Sequence, residues 1–234
     1  MKKIVFLTGA GISAESGIPT FRGAIDGLWE NHNVEEVATA KAIKEHPEVV
    51  YKFLNELRDK YKDCQPNLAH KAIAELEKDY DVTVITQNID NLHEQAGSSK
   101  VIHLHGDLSK VRVIGTTPPY ELLFDYPEEG ITPESEINGF RVRPHIVLFG
   151  EDVPNITEAI PFIKQADICV VIGTSFNVYP AAGLVQYVNI NNPIYYIDPN
   201  PAYIPDYPDI KVIKATATEG MKELIKILND DKNI

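Results

Sequence analysis

The sequence predicts an α/β fold, a doubly wound and mostly parallel sheet with a small inserted module, and three observations carry that prediction. Short β-branched runs recur along the chain, segments with helical spacing lie between several of them, and residues 111–143 lack a helical period. The runs are Lys3 to Thr8, Val82 to Thr86, Val101 to Leu104, His145 to Phe149, Ile168 to Gly173 and Ile194 to Asp198. Each reads as a buried parallel strand.

The spacing predicts a helix over Pro47 to Tyr61, where Val50, Phe53, Leu54, Leu57 and Tyr61 return about every 3.6 residues and Pro47 suits the first turn. A second helix is expected from Asn67 to Lys78, with Asn67 as N-cap and Ala69, Ala72, Ile73 and Leu76 facing inward. Prolines and glycines punctuate Val111 to Arg143, leaving short pieces around Tyr120, Leu122, Leu123, Phe124, Tyr126, Ile131, Ile137 and Phe140. That pattern reads as an insertion with a small core of its own.

The 234 residues include 34 acidic and 22 basic side chains, a formal charge of −12, and are 44% hydrophobic. Such a chain can bury a sizeable core without staples, which excludes disordered and collagen-like classes. The excess of carboxylates opposes phosphate neutralisation, so no nucleic-acid partner is expected and a basic peptide is favoured. Cys64 and Cys169 are too few for a disulfide framework or a four-thiolate zinc site, and Cys169, inside the run ICVVIG, reads as a core thiol. The opening MKKIVFLTGAG turns to glycine after a very short apolar run and no segment approaches spanning length, so a cytoplasmic protein without membrane contact is expected, a monomer by default.

The first strand runs into Gly9-Ala10-Gly11, continuing to Gly17. Glycines after a strand let a pyrophosphate approach backbone amides, or serve only a tight packing turn. Ala14 replaces the third glycine of the dehydrogenase fingerprint and no acid follows at the end of a clear second strand, which weakens hydride transfer. Next, Thr20, Phe21 and Arg22 place a ring and a guanidinium on a loop bounded by Pro19 and Gly23. At the end of another strand, Gln87-Asn88-Ile89-Asp90 sets amide and carboxylate groups where an open α/β sheet lines its crevice, or it merely caps that strand. In His103-Leu104-His105-Gly106 the two histidines share a side, and the one at the strand end is better exposed as a general base near neutrality. The remaining histidines read as structural.

Together GAGISAESGIPTFRG, TQNIDNLHEQAG, HLHG, FGE and GTS resemble the sirtuins, NAD-dependent protein lysine deacylases, over nearly the whole chain. The likeness is closest to short bacterial members related to the desuccinylase branch, because DGLWE and VEEVAT accompany the first motif. The resemblance implies a single catalytic unit over 1–234, with a Rossmann-like large part (1–40, 66–110, 144–234), a helical insertion at about 41–65 and a small zinc-free module at about 111–143. It also implies that NAD is consumed as an electrophile attacked by the acyl-lysine oxygen. Nicotinamide leaves, His105 deprotonates a ribose hydroxyl, and the products are lysine and 2′-O-acyl-ADP-ribose.

By residue matching, Asn88, Ile89 and Asp90 form the nicotinamide pocket, with Asn88 and Asp90 joining His105 as catalytic residues, and Gln87 holds the ribose. Gly9, Ala10 and Gly11 meet the pyrophosphate, Thr20, Phe21 and Arg22 belong to the cofactor loop, and Gly173, Thr174 and Ser175 approach the adenosine side. Asp198 or Asn200 serves the adenine ribose and Ala217 the adenine. The acylated protein lies as an extended strand between Phe149-Gly150-Glu151 and the segment around Asn177, Val178 and Tyr179.

Two departures from the family pattern stand out. Residues 111–143 contain neither cysteine nor histidine, so no zinc is expected there and no metal is assigned; burial of Tyr120, Leu122, Leu123, Phe124, Ile131 and Phe140 would hold the module instead. Leu54 and Leu57 stand where desuccinylating members carry tyrosine and arginine, with Arg58 one residue late, so acetyl or other neutral acyl groups are expected over succinyl. Two rival readings remain: a protein ADP-ribosyltransferase, and a catalytically silent NAD-binding module.

Overall fold

The computed structural model describes residues 1–20, 33–117, 120, 122–175, 179–202 and 209–230. Its strands, in chain order, are β1 (Lys3–Thr8), β2 (Asp81–Thr86), β3 (Val101–His103), β4 (Gly106–Val113), β5 (Leu123–Asp125), β6 (Glu136–Ile137), β7 (Phe140–Ile146), β8 (Ile168–Ile172), β9 (Ile194–Ile197) and β10 (Lys211–Ile213). The helices are α1 (Val34–Val37), α2 (Ala42–Glu45), α3 (Pro47–Tyr61), α4 (Leu68–Glu75), α5 (Leu92–Ala96), α6 (Ile156–Gln165) and α7 (Ala217–Asp230).

Six parallel strands pair in the order β10-β9-β8-β1-β2-β3, the doubly wound arrangement expected. The order reverses between β1 and β8, which makes their carboxyl ends the topological switch point. Ile4 and Phe6 on β1 face α4 and α7 through Ala69, Ile73, Met221 and Leu224, while Val5 and Leu7 face α6 and the 181–187 turn through Ile163, Leu184 and Val185. Period-two alternation thus sends one strand's side chains into two separate cores. Asn67 accepts from the amides of Ala69 and His70 and caps α4 as its position predicts, while the end of that segment, Leu76–Lys78, tightens into a 3₁₀ turn.

The second sheet has the order β5-β4-β7-β6 and is antiparallel. It corrects one strand assignment: His145 to Phe149 is no parallel strand. His145 and Ile146 end β7 opposite Gly106, and Phe149 goes on to bridge Thr39. An apolar run shows that a strand is buried but not which sheet it joins. Gly106 decides it here, since at φ +87° a Cβ would lie 2.0 Å from the His145 carbonyl oxygen.

The module is also held differently from the expectation. Leu122, Leu123 and Phe140 are 40 to 45% exposed. Ile131, as expected, turns inward with Val111, Tyr126 and Val142 onto Tyr51, Leu54 and Leu57 of α3, and Phe124 packs partly buried against the same cluster. α3 covers the face on which Val111 and Val142 lie. Polar ties reinforce the contact: Asn55 takes the Ile131 amide at 3.0 Å and the Tyr126 hydroxyl at 2.8 Å, and donates to the Ile131 carbonyl at 2.8 Å. Arg58 donates to the carbonyls of Pro127 and Glu128.

Candidate active site

At the switch point the glycines work first on each other. Gly9 donates to Ile172 at 3.0 Å and Gly11 to Gly173 at 2.9 Å, so these two amides are taken up in joining the loop after β1 to the loop after β8. The following residues form two 3₁₀ turns, Ala10–Ile12 and Ala14–Ser16, rather than the start of an α-helix. Glu15 leaves this loop to accept from the Thr218 amide in the first turn of α7. The close-packing meaning of the glycine turn is thus what the structure displays.

Across the crevice, Gln87 donates to the Thr174 hydroxyl at 3.1 Å and so ties the end of β2 to the end of β8. Asn88 donates to the Ser13 hydroxyl at 3.0 Å, and Ser13 donates to Asp90 at 2.9 Å. Burial raises the Asp90 carboxyl, opposed by the Ser13 and Leu92 hydrogen bonds. The loop after β1 and the turn after β2 are therefore one hydrogen-bonded unit.

That turn rests on the chain leading out of β3. Consecutive carbonyls of Gln87, Asn88 and Ile89 accept from His105 Nδ1 at 2.9 Å, His103 Nδ1 at 3.1 Å and the Leu108 amide at 2.8 Å. A carbonyl only accepts, so Nδ1 of His105 carries hydrogen, and in the neutral ring Nε2 holds the free lone pair. Burial keeps this imidazole below its ordinary value, opposed by the Gln87 bond, and so neutral near pH 7. His105 sits in the seam between the sheets, its own carbonyl accepting from Val147 at 2.9 Å.

Other expected residues separate into those near this unit and those engaged elsewhere. Ile89 packs against the apolar cluster containing Leu54, Leu57 and Leu148. Leu54 and Leu57 are themselves buried there. Thr174 is buried, its carbonyl accepting from Tyr196 at 2.8 Å, with Ser175 half-buried beside it. Asp198 ends β9 and accepts from the Asn200 amide at 2.8 Å, leaving Asn200 exposed. Ala217 opens α7 within the core. Thr20 and Ala10 are half-buried, whereas Phe21, Arg22, Asn177 and Val178 lie outside the described residues.

Phe149 is 47% exposed while its backbone bonds Ala38 and Ala40. The Glu151 carboxylate is fully engaged: it pairs with Arg143 at 2.6 Å, meets Arg112 at 3.5 Å and accepts the Leu148 amide at 2.9 Å. It braces the loop.

His93 and His70, read as structural from the sequence, are buried: His93 Nε2 lies 3.1 Å from the Thr8 hydroxyl at the end of β1, and His70 meets His93 edge-to-face at 4.8 Å. His103 was passed over. Its neighbour Glu94, nine residues before it, was the available signal, visible only if α5 folds back along β3.

A profile of the Sir2 family matches residues 9–180. The NAD-dependent protein deacylase of Bacteroides thetaiotaomicron is 47% identical over 235 residues, 97% of this chain and 98% of the relative. That of Helicobacter pylori is 45% identical over 227 residues, 96% of each. Among solved structures, a Sir2 homolog in complex with NAD superposes with a TM-score of 0.84 at 40% identity, covering 98% of this chain and 90% of the other.

Proposed function

Because this chain belongs to the Sir2 family, we propose that its site removes acetyl or other neutral acyl groups from protein lysines, releasing nicotinamide and 2′-O-acyl-ADP-ribose. The broad activity, NAD-dependent deacylation, agrees with the names of its relatives, which favour neither an ADP-ribosyltransferase nor a silent module.

The observation that carries the reading is the His105 ring, tied to Gln87 by Nδ1 and with no hydrogen bond at Nε2 among the described residues, beside the unit made by Ser13, Asn88 and Asp90. The residues fit a dinucleotide: a glycine floor lies at the switch point, and amide and carboxylate groups gather at the end of β2. NAD, when bound, supplies the glycosidic bond that breaks and the ribose that receives the acyl group. Asn88 and Asp90 would hold the nicotinamide end, Gln87 the ribose, and Gly173 to Ser175 the adenosine side. His105 takes a proton from a ribose hydroxyl on Nε2, as a neutral buried imidazole can.

The substrate backbone adds beside Phe149 and Gly150, so recognition depends more on main chain than on sequence. The apolar surroundings of Leu54 and Leu57 favour neutral acyl groups. A cysteine-free segment 111–143, packed on α3, supports a module without zinc.

The test incubates acyl-lysine peptides with NAD and measures nicotinamide and acyl-ADP-ribose, with His105→Ala as control. Label from NAD ending on protein, or no nicotinamide release with any peptide, would overturn the reading.

A further inference from the structure

The turn at Gln87 to Ile89 hangs from three donors, and one of them, His103, has no part in the chemistry above. We propose that His103 is a positioning residue for the nicotinamide end of the site, an imidazolium clamped between the Asn88 carbonyl and the Glu94 carboxylate that fixes the Asn88 peptide. The inference rests on reading Gln87–Asp90 as part of an NAD site.

The geometry requires the charge. Nδ1 lies 3.1 Å from the Asn88 oxygen and Nε2 2.8 Å from Glu94 Oε1. Neither a carbonyl nor an ionised carboxylate can donate, so both ring nitrogens must. The side chain is 11% exposed, and burial opposes the charge. Hydrogen bonding and attraction from Glu94, with Asp107 and the Asn88 carbonyl, outweigh burial and raise the ring to about 9. The groups around it are Glu94, Asp90 and His93 from the segment after β2, Asp107 and Lys110 from β4, and His145 from β7.

His103 and His105 are two residues apart on one side of the chain and hold adjacent carbonyls, yet they are in opposite protonation states. One is fixed as a donor on both nitrogens, while the other keeps a basic nitrogen. The His103 charge also favours ionised Asp90 against the cost of burial. Without the clamp the Asn88 peptide can rotate, carrying with it the side chain that reaches Ser13.

The sign of the pH effect follows. The folded value is raised, so the clamp is complete below the ordinary value of 6.5 and is lost as pH rises through about 9.

The test measures NAD binding by calorimetry and the KM values for NAD and acyl-peptide, from about pH 7 to about pH 10, for wild type, His103→Leu and His103→Asn. Loss of one charge-assisted bond predicts about tenfold weaker NAD binding and a matching rise in KM for NAD in His103→Leu, with KM for peptide unchanged. In His103→Asn the amide replaces the Nδ1 donor and does not titrate, so binding stays within about threefold of wild type and shows no alkaline weakening. A folded His103→Leu that binds NAD like wild type overturns the proposal, as does an alkaline loss in His103→Asn equal to that of wild type. Should His103→Leu not fold, the His103→Asn pH profile decides. Failure of the wild-type chain to bind NAD would instead defeat the reading of the site itself.

Discussion

Gly11 donates its amide to the carbonyl of Gly173, and a Cβ on either glycine would lie 2.5 Å from the other's Cα. The contact joins the loops after β1 and β8, at the place where the sheet reverses its order and a dinucleotide would lie. A methyl group at either position must push the two backbones apart. Gly173→Ala adds strain at φ +62°.

Gly11→Ala and Gly173→Ala are each expected to destabilise the fold by about 1–3 kcal/mol and to lose most NAD affinity. Thermal melts with and without NAD check this. A Gly11→Ala protein with wild-type Tm and the same NAD-induced shift would show that the close approach is dispensable.

His105→Ala is expected to reduce deacylated product about 10²- to 10⁴-fold while leaving nicotinamide exchange measurable, because in the proposed mechanism the imidazole acts after nicotinamide leaves. Burial lowers this histidine, so its stabilising contribution is present above the ordinary value of 6.5 and is lost as pH falls through the lower folded value. The acid limb of kcat/KM should accordingly lie below 6.5. Equal loss of exchange and product in the variant would place His105 in the first step.

Asn55 satisfies both backbone groups of Ile131 and the hydroxyl of Tyr126, all at the buried junction of α3 with the module. Asn55→Ala leaves them without partners, at a cost of about 2 kcal/mol or more. If side-chain packing on α3 replaces a structural metal, that variant melts early and a chelator leaves the Tm of wild type unchanged. A chelator-induced drop accompanied by stoichiometric zinc would refute the zinc-free module.

Arg58, one residue past the position proposed for the acyl pocket, is held by the carbonyls of Pro127 and Glu128 and by Asp59, and its side chain is buried. It is thus drawn away to the module. Burying a distal carboxylate against Leu54 and Leu57 without a partner costs several kcal/mol, so kcat/KM for succinyl-lysine should fall at least about tenfold below that for acetyl-lysine. A peptide panel measures the ratio. A ratio favouring succinyl would show that another cation reaches the pocket.

Much of this was legible in order along the chain. Pro47 to Tyr61 and the Asn67 cap follow from local spacing and capping chemistry, which hold wherever the segment packs. Gln87 to Asp90 and His105 stood out as polar groups at strand ends, a place that a cap or a ligand site can equally occupy, and the roles proposed for them came with the family resemblance. The module was legible as an interruption but not as a packed object: Phe140 and Leu122 look like core by composition, yet each is 45% exposed. The convergence of two arginines, from β4 and β7, on Glu151 could not be read along the chain, because the partners are far apart in sequence.

The sequence by itself determined the α/β rhythm, the residues that end the strands and the family they mark, since these depend on neighbours within a few positions. Only the tertiary structure decided which sheet His145 joins, which face of the module is dry, and why His103 is charged while His105 is neutral. Burial and charge act through space. The two imidazoles stand two residues apart in the chain, but Glu94 reaches only one of them.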